Sequence, residues 1–280
     1  VDNLPDVQQT EPSIKIPIQQ VGVENVEVPF MLESVFGGFH EMIAQVSMRT
    51  NLDKNIRGIS MSRLLLTLQP YLRLPLKHFL IQLILKDFKK SVGSSNSFIS
   101  FKFKLPIIRK SPKSENAFPI YYDCKFEGQL SGENFLFFQG VRVQYASYCP
   151  CSAELCLQRE PGGPEMWPHA QRSYADILVR IVEPNYVWLE DIIRIVEAVI
   201  KTIPYPIIKR VDEHEIALTA GQNELFVEDA IRAISDTLDN KEDIFDWIVK
   251  CTHEESIHTS EAVALNWKGI VGGFNGTHFI

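Results

Sequence analysis

The chain has 280 residues, 45% hydrophobic and 22% charged, a globular composition with material for one large domain or two modest ones. That excludes a disordered tail, a collagenous repeat and a small disulfide scaffold. A formal net charge of -7, from 28 Lys+Arg against 35 Asp+Glu, argues against a nucleic-acid-binding domain, while leaving room for anionic small molecules in a locally basic pocket.

Along the chain, residues 1–20 hold three prolines and read as an arm. Alternating Val21, Val23, Val26, Val28 and Phe30 predict a strand, and His40 to Leu52 a second. Ser60 caps a helical run through Leu64, Leu65 and Leu68 that Pro70 breaks. A stronger amphipathic helix spans Leu76 to about Lys90, followed by strands at Phe98 to Ile108 and Phe118 to Leu130. The second half repeats this order. Strands are predicted at Phe135 to Tyr148 and, after a long loop, at Arg172 to Val182. Helices follow at Trp188 to Ile203 and Glu224 to Leu238, then strands at Ile244 to Cys251 and Glu261 to Trp267.

Each half therefore reads strand, strand, helix, helix, strand, strand, an α+β pattern of two antiparallel four-stranded sheets with a helix pair on one face. The expected division is an arm at 1–20, modules at 21–131 and 132–270, and a tail at 271–280. Open sheet edges need pairing or covering, so a homo-oligomer is expected. No stretch approaches the ~20 apolar residues a bilayer demands, because Lys77, His78 and Lys86 interrupt the greasiest run. Five cysteines without framework spacing imply reduced thiols, and no signal-peptide pattern is present, so a cytoplasmic location is expected.

Side chains suited to catalysis concentrate in the second half. Cys149-Pro-Cys151 stands where a strand ends, and the loop beyond delivers His169. A thiolate and an imidazole at the two ends of one loop form a candidate Zn²⁺ pair, against the plainer alternative of two small buried cysteines beside a proline turn. Lys209-Arg210-Val-Asp-Glu213 sets a phosphate-ready cation pair beside carboxylates, although such a run is more often a solvated face. His253-Glu-Glu255-Ser-Ile-His258 is the densest polar cluster. If the strand continued, His253 and Glu255 would share one face; a loop would free His258 to meet Glu255. Cys149, His169, Glu213, Glu255 and His258 together form a mixed S/N/O set suited to Zn²⁺ and able to accept Mn²⁺ or Fe²⁺.

Seven motifs occur in register: Leu4-Pro-Asp-Val7, Arg57-Gly-Ile-Ser-Met-Ser-Arg63, Cys149-Pro-Cys-Ser152, His169-Ala-Gln-Arg-Ser173, Lys209-Arg-Val-Asp-Glu213, Phe226-Val-Glu-Asp229 and Glu255-Ser-Ile-His258. On these the chain resembles the type IB GTP cyclohydrolases, metal-dependent prokaryotic enzymes of folate synthesis. The resemblance implies a tunnelling fold of two ββααββ modules and a homotetramer with active sites at subunit interfaces. It also implies hydrolysis of GTP to 7,8-dihydroneopterin triphosphate and formate. Cys149, His169 and Glu213 resemble the family's metal ligands, with Glu255 and His258 at the metal or beside it; Glu228 resembles the carboxylate that anchors guanine.

The chemistry agrees with that pattern. Water is a poor nucleophile toward guanine C8 unless a metal lowers its pKa, and His258 or His253 is the candidate proton carrier. Arg57, Arg63, Lys209 and Arg210 are the candidate triphosphate contacts. The loop between Cys149 and His169 is longer than the family pattern, with extra residues around Gln158 to Met166. Two other functions are alternatives. A tunnelling-fold nitrile reductase of queuosine synthesis would use the cysteine as a nucleophile with NADPH and no metal. A non-catalytic purine-binding oligomer would lack a ligand or base.

Overall fold

The computed structural model describes residues 7–158, 163, 165–182 and 186–278. Leu4, Pro5 and Asp6 of the first motif, and residues 159–162 and 164 between Cys149 and His169, lie outside the described residues. Among the described residues, eight strands are present: β1 (Ile18–Glu33), β2 (Phe39–Leu52), β3 (Asn96–Lys110), β4 (Ala117–Ser131), β5 (Asn134–Tyr148), β6 (Ala170–Ile181), β7 (Asp246–His253) and β8 (Ala262–Trp267). Six α-helices accompany them: α1 (Met61–Leu68), α2 (His78–Val92), α3 (Pro150–Leu157), α4 (Leu189–Ile200), α5 (Arg210–Gly221) and α6 (Val227–Asp239).

The expected ββααββ order is observed, with two helices beyond it in the second half. The segment after Cys149, expected as loop, is α3, started by Pro150 at its first helical position, where a missing N–H costs nothing. The charged run from Lys209, expected between two helices, opens the helix α5. The two sheets expected to be separate form one eight-stranded sheet in chain order, β1 to β8, so β4 and β5 are neighbours. A two-residue hairpin at Gly132, whose φ of 59° needs no Cβ, makes that pairing possible.

The chain divides into two compact units, Val1–Phe103 with Lys125–Phe138, and Lys104–Cys124 with Gln139–Ile280. In the first, alternation along β2 buries Ala44, Val46 and Met48 on one face and leaves Gln45, Ser47 and Arg49 on the other. The buried face receives α2 through Ile81, Ile84, Leu85 and Phe88. Gly128 permits the close approach: a Cβ there would lie 2.4 Å from Ile81 Cγ2 and 2.9 Å from Leu85 Cδ1. Phe30, Phe103, Phe126 and Phe137 form a chain of ring contacts at 5.0 to 5.7 Å. Helix α1 stops at Leu68 before a 3₁₀ turn over Gln69–Tyr71, as Pro70 requires.

In the second unit, α4 buries Ile192, Ile193, Val196 and Ile200, and α6 buries Ala230, Ile231, Ile234 and Leu238. Both spacings are helical stripes facing the buried residues of β6 and β7. Strand β7 pairs with β6 from Ser173↔His253 to Arg180↔Asp246 and ends at His253, so Glu254 to Ser260 are loop. No helix is long and apolar enough to cross a membrane among the described residues.

Candidate active site at one end of the second unit

Strands β5, β6 and β7 end together and gather much of the predicted set. Cys149, the N-cap of α3, donates its backbone N–H to His169 O at 3.2 Å, which closes the β5–β6 ladder. Ser152, one turn into α3, accepts the His169 N–H at 3.2 Å. These bonds hold the two ends of the long loop side by side, so residues 20 apart in sequence meet. Both Cys149 and His169 are half-buried.

Gln171 organises the next layer. Its amide oxygen faces His169 Nδ1 at 3.0 Å and its amide nitrogen donates to Glu255 Oε1 at 3.3 Å, while Ser256 Oγ lies 3.4 Å from the same Nδ1. Since Gln171 Oε1 can only accept, Nδ1 is the donor in that bond, which leaves Nε2 as the ring nitrogen available to a ligand. Residues 169 and 171 lie two apart in extended chain, so strand alternation places both on one face. The Glu254 N–H donates to Arg172 O at 2.9 Å and holds the loop that carries Glu255 against β6.

Behind this layer is a buried pair. Tyr145 OH lies 2.9 Å from His253 Nε2, each side chain 1% exposed. Burial lowers the His253 pKa to about 4, against the opposing pull of the Glu228 charge, so the imidazole is neutral at pH 7. Glu228 is exposed in the first turn of α6, a segment fastened to β5 where Leu225 N–H donates to Tyr148 O at 3.2 Å.

Helix α5 is positioned by one carboxylate. Asp212 accepts from Lys113 N at 2.9 Å, Ser114 N at 2.8 Å, Ser114 Oγ at 2.5 Å and Lys209 N at 2.7 Å. Burial by itself raises a carboxylate's pKa, but these donors together hold Asp212 well below the usual range. The clamp fixes Lys209, Arg210 and Glu213, all exposed, at the start of α5.

Not every predicted residue joins the cluster. Among the described residues, no hydrogen bond or ion pair links Glu213 or His258 to Cys149 or His169, and no three His, Cys, Asp or Glu side chains form a metal cage. His258 is exposed on the loop after β7. Arg57 and Arg63 belong to the first unit; Arg63 donates to Ser91 O at 3.2 Å, and the Arg57 N–H donates to Thr10 O of the arm. Sequence reasoning named no role for Gln171, Tyr145 or Asp212. Asp212 was detectable as the third residue after a helix start, the position from which a carboxylate caps the backbone.

Comparison with known proteins agrees with this organisation. A sequence model described as Type I GTP cyclohydrolase folE2 matches residues 4–264. GTP cyclohydrolase FolE2 of Geobacter metallireducens is 31% identical over 93% of this chain and 95% of its own length. The Bdellovibrio bacteriovorus FolE2 is 34% identical, covering 96% and 97%. Among solved structures, uricase from Arthrobacter globiformis superposes with a TM-score of 0.56 at 7% identity, covering 93% of this chain and 96% of that one. A hyperthermostable urate oxidase of Bacillus sp. TB-90 gives 0.56 at 12%, covering 89% and 98%. Likeness at such low identity speaks for the fold alone, which is the tunnelling fold. Matched along nearly its whole length by both the family model and its curated relatives, the chain belongs to the Type I GTP cyclohydrolase FolE2 family.

Proposed function

We propose that this protein opens the imidazole ring of GTP by hydrolysis, giving 7,8-dihydroneopterin triphosphate and formate for folate synthesis. The observation that carries this is the meeting of Cys149, His169, Gln171 and Glu255 at one strand end, in a chain that matches GTP cyclohydrolases over residues 4–264. Neither the nitrile reductase nor the purine-binding oligomer gains support from these relatives.

The donor chemistry at this strand end fits a divalent ion, Zn²⁺ or Mn²⁺ with Fe²⁺ also suited. Cys149 offers a thiolate, and His169, its Nδ1 engaged by Gln171, offers Nε2. Glu213, Glu255 and His258 complete the proposed set. The chemistry such an ion supplies is activation of water as a nucleophile near neutral pH.

The chain's own groups do the rest. The Glu228 carboxylate accepts from guanine N1–H and the N2 amino group, a two-point contact that adenine cannot make. His253 is too well buried and too weakly basic to donate a proton at pH 7, so it holds Tyr145 in place. The exposed His258 is the better carrier, delivering a proton to the imidazole nitrogen as the ring opens. Lys209, Arg210, Arg57 and Arg63 are the proposed triphosphate contacts. Assembly as a homotetramer with interfacial active sites is supported by the edge strands β1 and β8, which expose Ile18 and Val263.

The test is to strip the protein with EDTA and incubate it with GTP, with and without Zn²⁺ or Mn²⁺. Formate release and the fluorescence of oxidised neopterin are followed together. Metal-dependent formation of both is expected; no product with either metal, from a folded protein that binds GTP, refutes the proposal.

A further inference from the structure

The first unit carries a second polar constellation, on the sheet face opposite α2. Along β2 and β3 the residues turned away from the helix are Gln45, Ser47 and Arg49, and Phe98, Ser100 and Lys102. The register sets Ser47 directly across from Ser100, Arg49 across from Phe98 and Gln45 across from Lys102. Two hydroxyls therefore stand side by side. A cation lies two residues along each strand, in opposite directions, within reach of a long side chain. Ser47, Arg49, Phe98, Ser100 and Lys102, with Gln20 and Gln129, line a cavity of about 210 Å³.

Two features of this cavity have no explanation within the chain. Ser100 Oγ is buried and has no hydrogen-bond partner, a condition that folded proteins seldom tolerate. One of the two cations, the exposed Lys102, is also unpaired among the described residues. Arg49 is committed to Gln20 at 3.1 Å and to Glu24, and Glu127, the one carboxylate at the cavity, is held by Lys125 at 3.0 Å. Lys102 has no carboxylate partner among the described residues. Water can solvate the exposed Lys102 and reach the hydroxyl only as separate contacts. An oxyanion answers both, because it accepts from hydroxyl, ammonium and guanidinium together. The volume falls below the ~300–1,000 Å³ of sites that enclose drug-sized ligands, so it suits a compact anion.

We propose that this cavity binds a compact phosphate anion of about the size of pyrophosphate, seated on the Ser47–Ser100 hydroxyl pair between Arg49 and Lys102. This site is independent of the GTP reading, and none of its residues belongs to the proposed catalytic set.

The experiment is calorimetric titration of the full-length, EDTA-treated protein with pyrophosphate at low ionic strength. Lys102→Gln, Ser100→Ala and Arg210→Gln are titrated in parallel, with circular dichroism confirming that each is folded. The wild type is expected to bind one equivalent per chain, with binding that Lys102→Gln and Ser100→Ala each weaken about ten-fold or more, and that persists in Arg210→Gln, which removes a proposed triphosphate contact. No saturable binding by the wild type overturns the proposal. So does binding unaltered by both Lys102→Gln and Ser100→Ala, or binding lost only in Arg210→Gln, which would assign the anion to the α5 cations.

Discussion

Gly128→Ala tests the packing of the first unit most directly. The new Cβ would sit 2.4 Å from Ile81 Cγ2, 2.9 Å from Leu85 Cδ1 and 3.4 Å from Ile99 Cγ2. Carbon atoms rest about 3.5–4.0 Å apart, so the nearest contact overlaps by more than an ångström. Ile81 and Leu85 lie one turn apart on α2 and are fully buried, so neither side chain can swing into solvent. The helix itself must lift from the sheet. Overpacking of this kind costs roughly 1–3 kcal/mol, and two severe contacts on one rigid element place the cost near the upper end. Removing a glycine from a strand works the other way, by about 0.5–1 kcal/mol. The net expectation is a loss of about 2 kcal/mol, read as a lower urea midpoint with an unchanged slope. Ile81→Ala in the same chain should be less than additive, because the new methyl enters the space that substitution opens. A Gly128→Ala protein as stable as the wild type, or more stable, would refute this account of how α2 seats.

Four further outcomes are expected. Gln171→Ala, which releases His169 Nδ1 and Glu255, should weaken Zn²⁺ retention about 10- to 100-fold in dialysis against a chelator without unfolding the protein. Glu228→Ala should raise KM for GTP strongly while metal content stays constant; unchanged GTP affinity would remove Glu228 from the site. Asp212→Asn should speed amide exchange at Lys113, Ser114 and Lys209 together, since one carboxylate holds all three N–H groups. His253 has a folded pKa of about 4, below its unfolded value of about 6.5, so the neutral form favours folding. Its contribution, at most about 3 kcal/mol, is complete above pH 6.5 and lost as pH falls toward 4. Urea midpoints of the metal-free wild type should therefore drop across that window more steeply than those of His253→Gln, and parallel profiles would contradict the linkage.

The strands and the amphipathic helices were readable because burial imposes a period on them. The stripes of α2, α4 and α6 lie within a few residues of their expected spans, as do the alternating run of β2 and the continuously buried run of β7. Helix α5 was not readable in this way. Of its twelve residues only Asp212 and Ala220 are buried, so it has no apolar stripe, and the hydrogen bonds to a loop about a hundred residues earlier hold it. Helix α3 is also short of buried side chains, with only Ala153 inside, and its one sequence mark was Pro150 after Cys149. In the candidate site, motif order identified Cys149 and His169, but their meeting depends on the antiparallel closure of β5 on β6, which no spacing rule supplies. The buried Tyr145–His253 pair was hidden for a different reason: a histidine beside Glu254 and Glu255 looks catalytic until its burial is known.

The strand order has a consequence for how the molecule comes into being. Because the sheet runs from β1 to β8 in the order of synthesis, each strand finds its partner in the neighbour just made. Four of the seven pairings are direct hairpins; of the three longer excursions, β5 to β6 contains the short helix α3, and β2 to β3 and β6 to β7 contain helices that form quickly on their own. The hairpin pairings are local and form early, while the closures of β3 on β2 and of β7 on β6 span the intervening helices and are the slower steps. Each strand adds to a neighbour already made, so pairing can follow the order of synthesis.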